Sequence, residues 1–120
     1  MDLRIEDYVY YSQQEEGDRS VRYIAIKPIC KIMELNYSKQ YIKLIKSDLL
    51  GPMLAEAEMI DTTEKNKSMI CLPLIYAIIW ICNIDSKESK NSCKVMLVQK
   101  YVINFLYTNM RWHDESNITF

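Results

Sequence analysis

A chain of 120 residues, 49% hydrophobic and 26% charged, makes one domain with a real core and leaves no room for a second. Its net charge of −1 excludes a body basic enough to hold nucleic acid by bulk electrostatics, so any such contact must come from a local patch. Two glycines and three prolines disfavour long structureless loops.

The chain opens MDLRIEDYVYY, with acids where a signal peptide needs a positive start and an apolar run. Export is not indicated, and a cytoplasmic protein is expected. The longest uncharged stretch, SMICLPLIYAIIWICNI at residues 68–84, is broken by polar residues and proline. It falls short of the roughly 20 apolar residues of a spanning helix. A core helix is expected there, and no membrane association. Cys30, Cys71, Cys82 and Cys93 are widely spaced in apolar surroundings, with no C-x-x-C pair. The one histidine, His113, has no second ligand near it, so neither a metal nor a cofactor is expected. The cysteines read as reduced core residues.

In chain order, residues 8–11 are aromatic and β-branched, residues 12–20 are polar, and residues 21–26 form a second apolar run. That order predicts a β-hairpin with a longish loop. Pro28 fits the first position of a helix whose buried face is Ile29, Ile32 and Met33. Asn36 is expected to end that helix in the left-handed conformation, and Ser38 to cap the next. On the second helix, at about 100° per residue, Lys39, Lys43 and Lys46 fall within an arc of roughly 60°. Tyr41, Ile42, Leu44, Ile45 and Leu49 fill the opposite side. The pair, residues 28–35 and 38–49, has a helix-turn-helix-like outline.

Gly51-Pro52 breaks the chain. Residues 55–59 alternate small or apolar with acidic, as a half-buried strand does, although Ala and Glu also suit a helix. Residues 61–68 read as a turn and 69–72 as the return strand. Pro73 opens a helix to about residue 83, and residues 84–92 are expected to be a solvated, flexible connection. A final helix spans about residues 92–110, apolar on so many sides that it is either central or shared with a second subunit. The expected architecture is α+β: a single domain over residues 1–110, with two β-hairpins and about four helices, and a tail at 111–120.

Several of these pieces carry a family likeness. They are VRYIAIKPICKIMELNYSKQ (21–40), Gly51-Pro52, ICLPL (70–74), Trp80 followed by Asn83-Ile84, and VQKYVINFLY (98–107). In this order and spacing the chain resembles the N-terminal domain of phage antirepressor proteins, a relative of the BRO-type N-terminal domain. The resemblance implies a phage or prophage regulatory module that binds a repressor protein and relieves transcriptional repression. Family members often carry segments beyond this domain.

No residue pattern supports catalysis. Glu56 and Glu58 fall on the solvent side of their strand, and there is no phosphate loop and no Ser-His-Asp arrangement. Trp80 with Tyr76 reads as core. The alternative to repressor binding is direct, weak DNA binding by the helix pair. Lysines 39, 43 and 46 would neutralise phosphates, Gln40 would read a base edge and Tyr37 would contact the backbone. The family often has basic residues where this chain has Tyr41 and Ile42, which narrows the positive face. A third possibility is self-association through the final helix at Val102, Phe105 and Leu106, giving a homo-oligomer. Anchors for a protein partner would be Tyr8, Tyr10, Tyr11 and Tyr37.

Overall fold

Two short hairpins join edge to edge into one antiparallel sheet, and the helices pack on one of its faces. The computed structural model describes residues 10–16, 19–60, 66–90 and 92–110. In chain order these form β1 (Tyr11–Glu16), β2 (Arg19–Ala25), α1 (Ile26–Ile32), α2 (Tyr37–Lys46), β3 (Ala55–Ile60), β4 (Asn66–Pro73), α3 (Leu74–Cys82) and α4 (Ser92–Met110). Single 3-10 turns stand at Gly51–Met53 and Ser86–Glu88. The α+β class is as expected.

The sheet order is β1-β2-β4-β3. Its joint pairs Tyr23 with Pro73, Ile24 with Leu72 and Ala25 with Cys71. Both strands are apolar here because both of their faces are covered. On one face Ile24 and Leu72 meet Ile29, Ile81, Val98 and Leu106 in the main core. On the other, Ala25 and Cys71 join Ala57 and Met59 in a smaller cluster. Burial pushes the Cys71 thiol up to about 11, and that of Cys30 on α1 up to about 12. Cys82 and Cys93 are exposed, against the expectation of four core cysteines.

The first hairpin differs from the sequence expectation. Residues 12–16 were expected to be loop, yet they belong to β1, whose register runs from Tyr11 opposite Ile24 to Glu16 opposite Arg19. Among the described residues β1 is an edge strand paired with β2 alone, so its polar sequence gave no strand signal. Residues 8 and 9 lie outside the described residues. Alternation served better in β3, where Ala57 and Met59 are buried while Glu56 and Glu58 are exposed.

The helix pair is also capped differently. Ala25 is the N-cap of α1, so Pro28 occupies the third helical position, where its missing N–H is equally harmless. The left-handed residue is Glu34, at φ 54°, not Asn36. Leu35 N–H donates to Cys30 C=O at 2.8 Å and Glu34 N–H to Lys31 C=O at 3.2 Å, the double bond of a Schellman ending. Burying Leu35 beside Cys30 places the reversal one residue before it. Asn36 is instead extended and caps α2, its Oδ1 accepting from Lys39 N–H at 3.0 Å. Ser38 therefore lies inside α2. Gly51 closes the segment: a Cβ there would stand 2.8 Å from the Ile45 carbonyl oxygen.

α3 follows Pro73 and α4 runs over residues 92–110, both as expected. The connection between them is not the free loop expected. Ile84 is buried, and Asp85 and Glu88 form a reciprocal capping box around the 3-10 turn. Ser89 Oγ donates to the Met33 carbonyl at 3.0 Å, and Gln99 Nε2 to the Ile84 carbonyl at 3.3 Å.

Candidate interaction surface

α2 is rotated so that its glutamine points in and its isoleucines point out. Its buried side is Gln40 and Leu44, flanked by half-buried Tyr37 and Ser47. Of the expected apolar arc, Leu44 is buried while Ile42, Ile45 and Leu49 are turned to solvent, and Ile42 lies about 60° from Lys39, beside the lysine stripe and not opposite it. Ile42 is 51% exposed and Ile45 52%, and Leu49, in the turn that follows, is 56% exposed.

The cause is a polar network inside the molecule. Trp80 Nε1–H donates to Gln40 Oε1 at 3.1 Å, and Gln40 Nε2 donates to Glu88 Oε2 at 3.3 Å. An indole N–H only donates and a carboxylate only accepts, so the group between them must both accept and donate, as the Gln40 amide does. These partners also decide which end of the Gln40 amide is oxygen. Glu88 Oε2 further accepts from Asp85 N–H at 3.3 Å, and Glu88 Oε1 forms an ion pair with Lys43. Turning α2 to bury its isoleucines would tear Gln40 from Trp80 and strand a buried indole N–H.

The basic stripe survives in reduced form. Lys39, Lys43 and Lys46 are all exposed, but Glu88 neutralises Lys43. Between α2 and the 86–88 turn runs an open groove of about 400 Å³, lined by Asn36, Lys39, Ile42, Lys43 and Lys87, with Gln40 and the Glu88 carboxylate also bordering it. Behind it, a smaller cleft of about 130 Å³ reaches Gln40, Leu44 and Trp80. Tyr37 stacks on Tyr41 with centroids 6.0 Å apart, and Lys27 Nζ lies 5.7 Å from its ring. Burial first, then Tyr41 and Cys30, raise the Tyr37 hydroxyl above its ordinary value.

The expected site residues thus divide. Lys39, Lys43 and Lys46 share one surface, whereas half-buried Tyr37 lies about 160° round α2 from Lys39, against Tyr41 and Lys27. Gln40 does not join that surface: at 3% exposed, with both ends of its amide engaged, it has no face to offer a base edge. Trp80, expected to be core, is core at 4% exposed. Of the residues expected to pair between subunits, Val102 and Leu106 are fully buried in the core of a single chain, and Phe105 packs against that core. They line the inward side of α4. Among the described residues, the large apolar side chains that α4 exposes are Met96, Leu97, Tyr101 and Tyr107. Among the partner anchors, Tyr11 lies under the Arg22 guanidinium at 4.9 Å, and Tyr10 is half-buried with its carbonyl accepting from Ala25 N–H. Tyr8 and His113 fall outside the described residues.

Glu88 and the exposed isoleucines went unread in the sequence. The Asp85-x-x-Glu88 spacing of a capping box was available as a signal for order in the 84–92 connection. No local signal marked the rotation of α2, because its cause lies on α3 and beyond. Among the described residues, no three of His, Cys, Asp or Glu come together as metal ligands, and no helix is long and apolar enough to cross a membrane.

Comparison with known families adds one finding. Residues 5–107 match the family model of the P22_AR N-terminal domain. The chain belongs to that family. No curated protein and no solved structure was found to match the chain. The P22_AR N-terminal domain is the phage antirepressor N-terminal domain that the residues at 21–107 resemble, and the match spans nearly all the described elements. Membership supports a phage regulatory role in general.

Proposed function

We propose that this domain is an antirepressor module that binds a repressor protein and frees the operator it holds. The observation that carries the reading is the solvent face of α2, where Ile42, Ile45 and Leu49 stand exposed beside lysines. A protein interface is built this way, with an apolar centre and a charged margin. A surface for the DNA backbone needs cations, and here one lysine of three is already paired with Glu88. Base reading loses its candidate because Gln40 is buried. Family membership supports the repressor as partner. The module works by binding, without catalysis or a cofactor, in the cytoplasm where repressors act. A homo-oligomer formed through the exposed side of α4 is compatible with it.

A gel-shift titration tests the reading. With labelled operator held by the repressor of the same phage or prophage, this chain should release free operator in proportion to its concentration. It should not shift the operator by itself. Tight, sequence-selective binding of operator by this chain alone would replace the reading with direct DNA recognition.

A further inference from the structure

We infer that the exposed face of α2 is a docking strip for an amphipathic helical segment of a partner, apolar along its centre and acidic along one edge. The inference rests on the protein-binding reading and names the surface and chemistry of that contact. At about 100° per residue, Ile42 and Ile45 lie within roughly 60° of each other on α2. On the Ile42 side, Lys39 and Lys46 follow within about another 60°. The strip therefore has an aliphatic centre and a basic margin on one side only.

Three observations commit the strip to such an occupant. First, the exposure is built in: the Gln40 bridge between Trp80 and Glu88 holds the helix with its isoleucines out. Second, the charge is unanswered. Among the described residues, neither Lys39 nor Lys46 has an ion-pair partner, and the first turn of α2 holds no acid. A helix laid along the strip with acids on the matching edge would meet both lysines, as in helix-in-groove recognition. Third, an antiparallel second copy fits poorly. Antiparallel pairing of two α2 helices about a twofold axis sets their lysine edges side by side, with only Asp48 at each end to offset them.

The test uses the full chain and two synthetic 18-residue helical peptides. Both carry leucine along one stripe; one has glutamate along a single edge and the other lysine there. Isotope-edited NMR titration should give shifts at Lys39, Ile42, Ile45, Lys46 and Leu49 with the glutamate peptide, and affinity at least about tenfold weaker with the lysine peptide. Ile45→Asp, at a position exposed in the fold, should weaken the glutamate peptide by about tenfold or more. The double variant Lys39→Glu with Lys46→Glu should reverse the preference. Equal affinity for the two peptides, no binding of either, or shifts centred away from α2 would overturn the inference. So would binding of anionic phospholipid vesicles in place of peptide, or a dimer mass that Ile45→Asp returns to monomer. The antirepressor reading is judged separately. Operator release that persists in Ile45→Asp would sink the docking strip and leave that reading standing. Peptide binding without operator release would do the reverse.

Discussion

The indole N–H of Trp80 donates to the side-chain oxygen of Gln40 at 3.1 Å, joining helices whose residues lie 40 apart in the chain. That bond turns α2 so that a glutamine is buried and two isoleucines face solvent. Replacing Gln40 with leucine should leave the indole N–H unpaired and take a donor from Glu88, destabilising the fold by about 1–3 kcal/mol. Trp80→Phe combined with Gln40→Leu should then cost less than the sum of the two single changes. The difference should be about 0.5–3 kcal/mol in urea denaturation. Strictly additive costs would show that the bond does not set the helix.

Among the described residues, Glu88 serves three partners while Lys43 serves one. The Glu88 carboxylate takes the Gln40 amide, the Asp85 N–H and Lys43, whereas the Lys43 side chain is 63% exposed. Lys43→Ala should therefore cost no more than about 1 kcal/mol, because solvent screens an exposed pair. Glu88→Ala should cost about 1–3 kcal/mol, since it leaves a part-buried amide without its acceptor. Equal losses on denaturation would contradict this ranking.

The cysteines should separate by reactivity. Iodoacetamide at pH 8, followed by peptide mass spectrometry, should modify exposed Cys82 and Cys93 first and reach Cys30 and Cys71 only as the protein opens. The buried thiols also make stability depend on pH. From an ordinary 9.0, burial raises Cys30 to about 12 and Cys71 to about 11, so between those limits the folded state holds protons that the unfolded chain releases. Their contribution is whole below pH 9 and is lost as pH rises toward 12. Replacing both with alanine should flatten that alkaline loss. An unchanged slope would assign it to other groups.

Leu106 distinguishes a core helix from a subunit interface. It is fully buried within one chain, together with Val102. Leu106→Ala should cost about 2–5 kcal/mol through lost burial and the cavity left behind. The loss in Tm should be the same at every protein concentration. A loss that shrinks on raising the concentration would place the residue between subunits.

Elements whose cause is local were legible in the residues. Pro73 announced α3, apolar spacing marked α4 over 92–110, and the alternation of Ala57 and Met59 with Glu56 and Glu58 marked β3. Each signal depends on residues within a turn or a pleat of one another, so the chain alone carries it. The polar edge strand β1 was illegible because its reason for being extended is the neighbour β2, not its own side chains.

The candidate surface divides the same way. The lysine stripe follows from helical spacing alone, and the structure leaves Lys39 and Lys46 on the surface. Hydrophobicity predicts which side of a helix is buried only when no buried polar partner competes for it. Here Trp80 and Glu88, 40 and 48 residues beyond Gln40, satisfy its amide inside the fold. An unmade hydrogen bond in the interior is costly enough to compete with the burial of aliphatic side chains. The sequence alone determined that α2 has a basic stripe with Ile42 beside it; the tertiary contacts decided that Ile42 and Ile45 face solvent while Gln40 is buried.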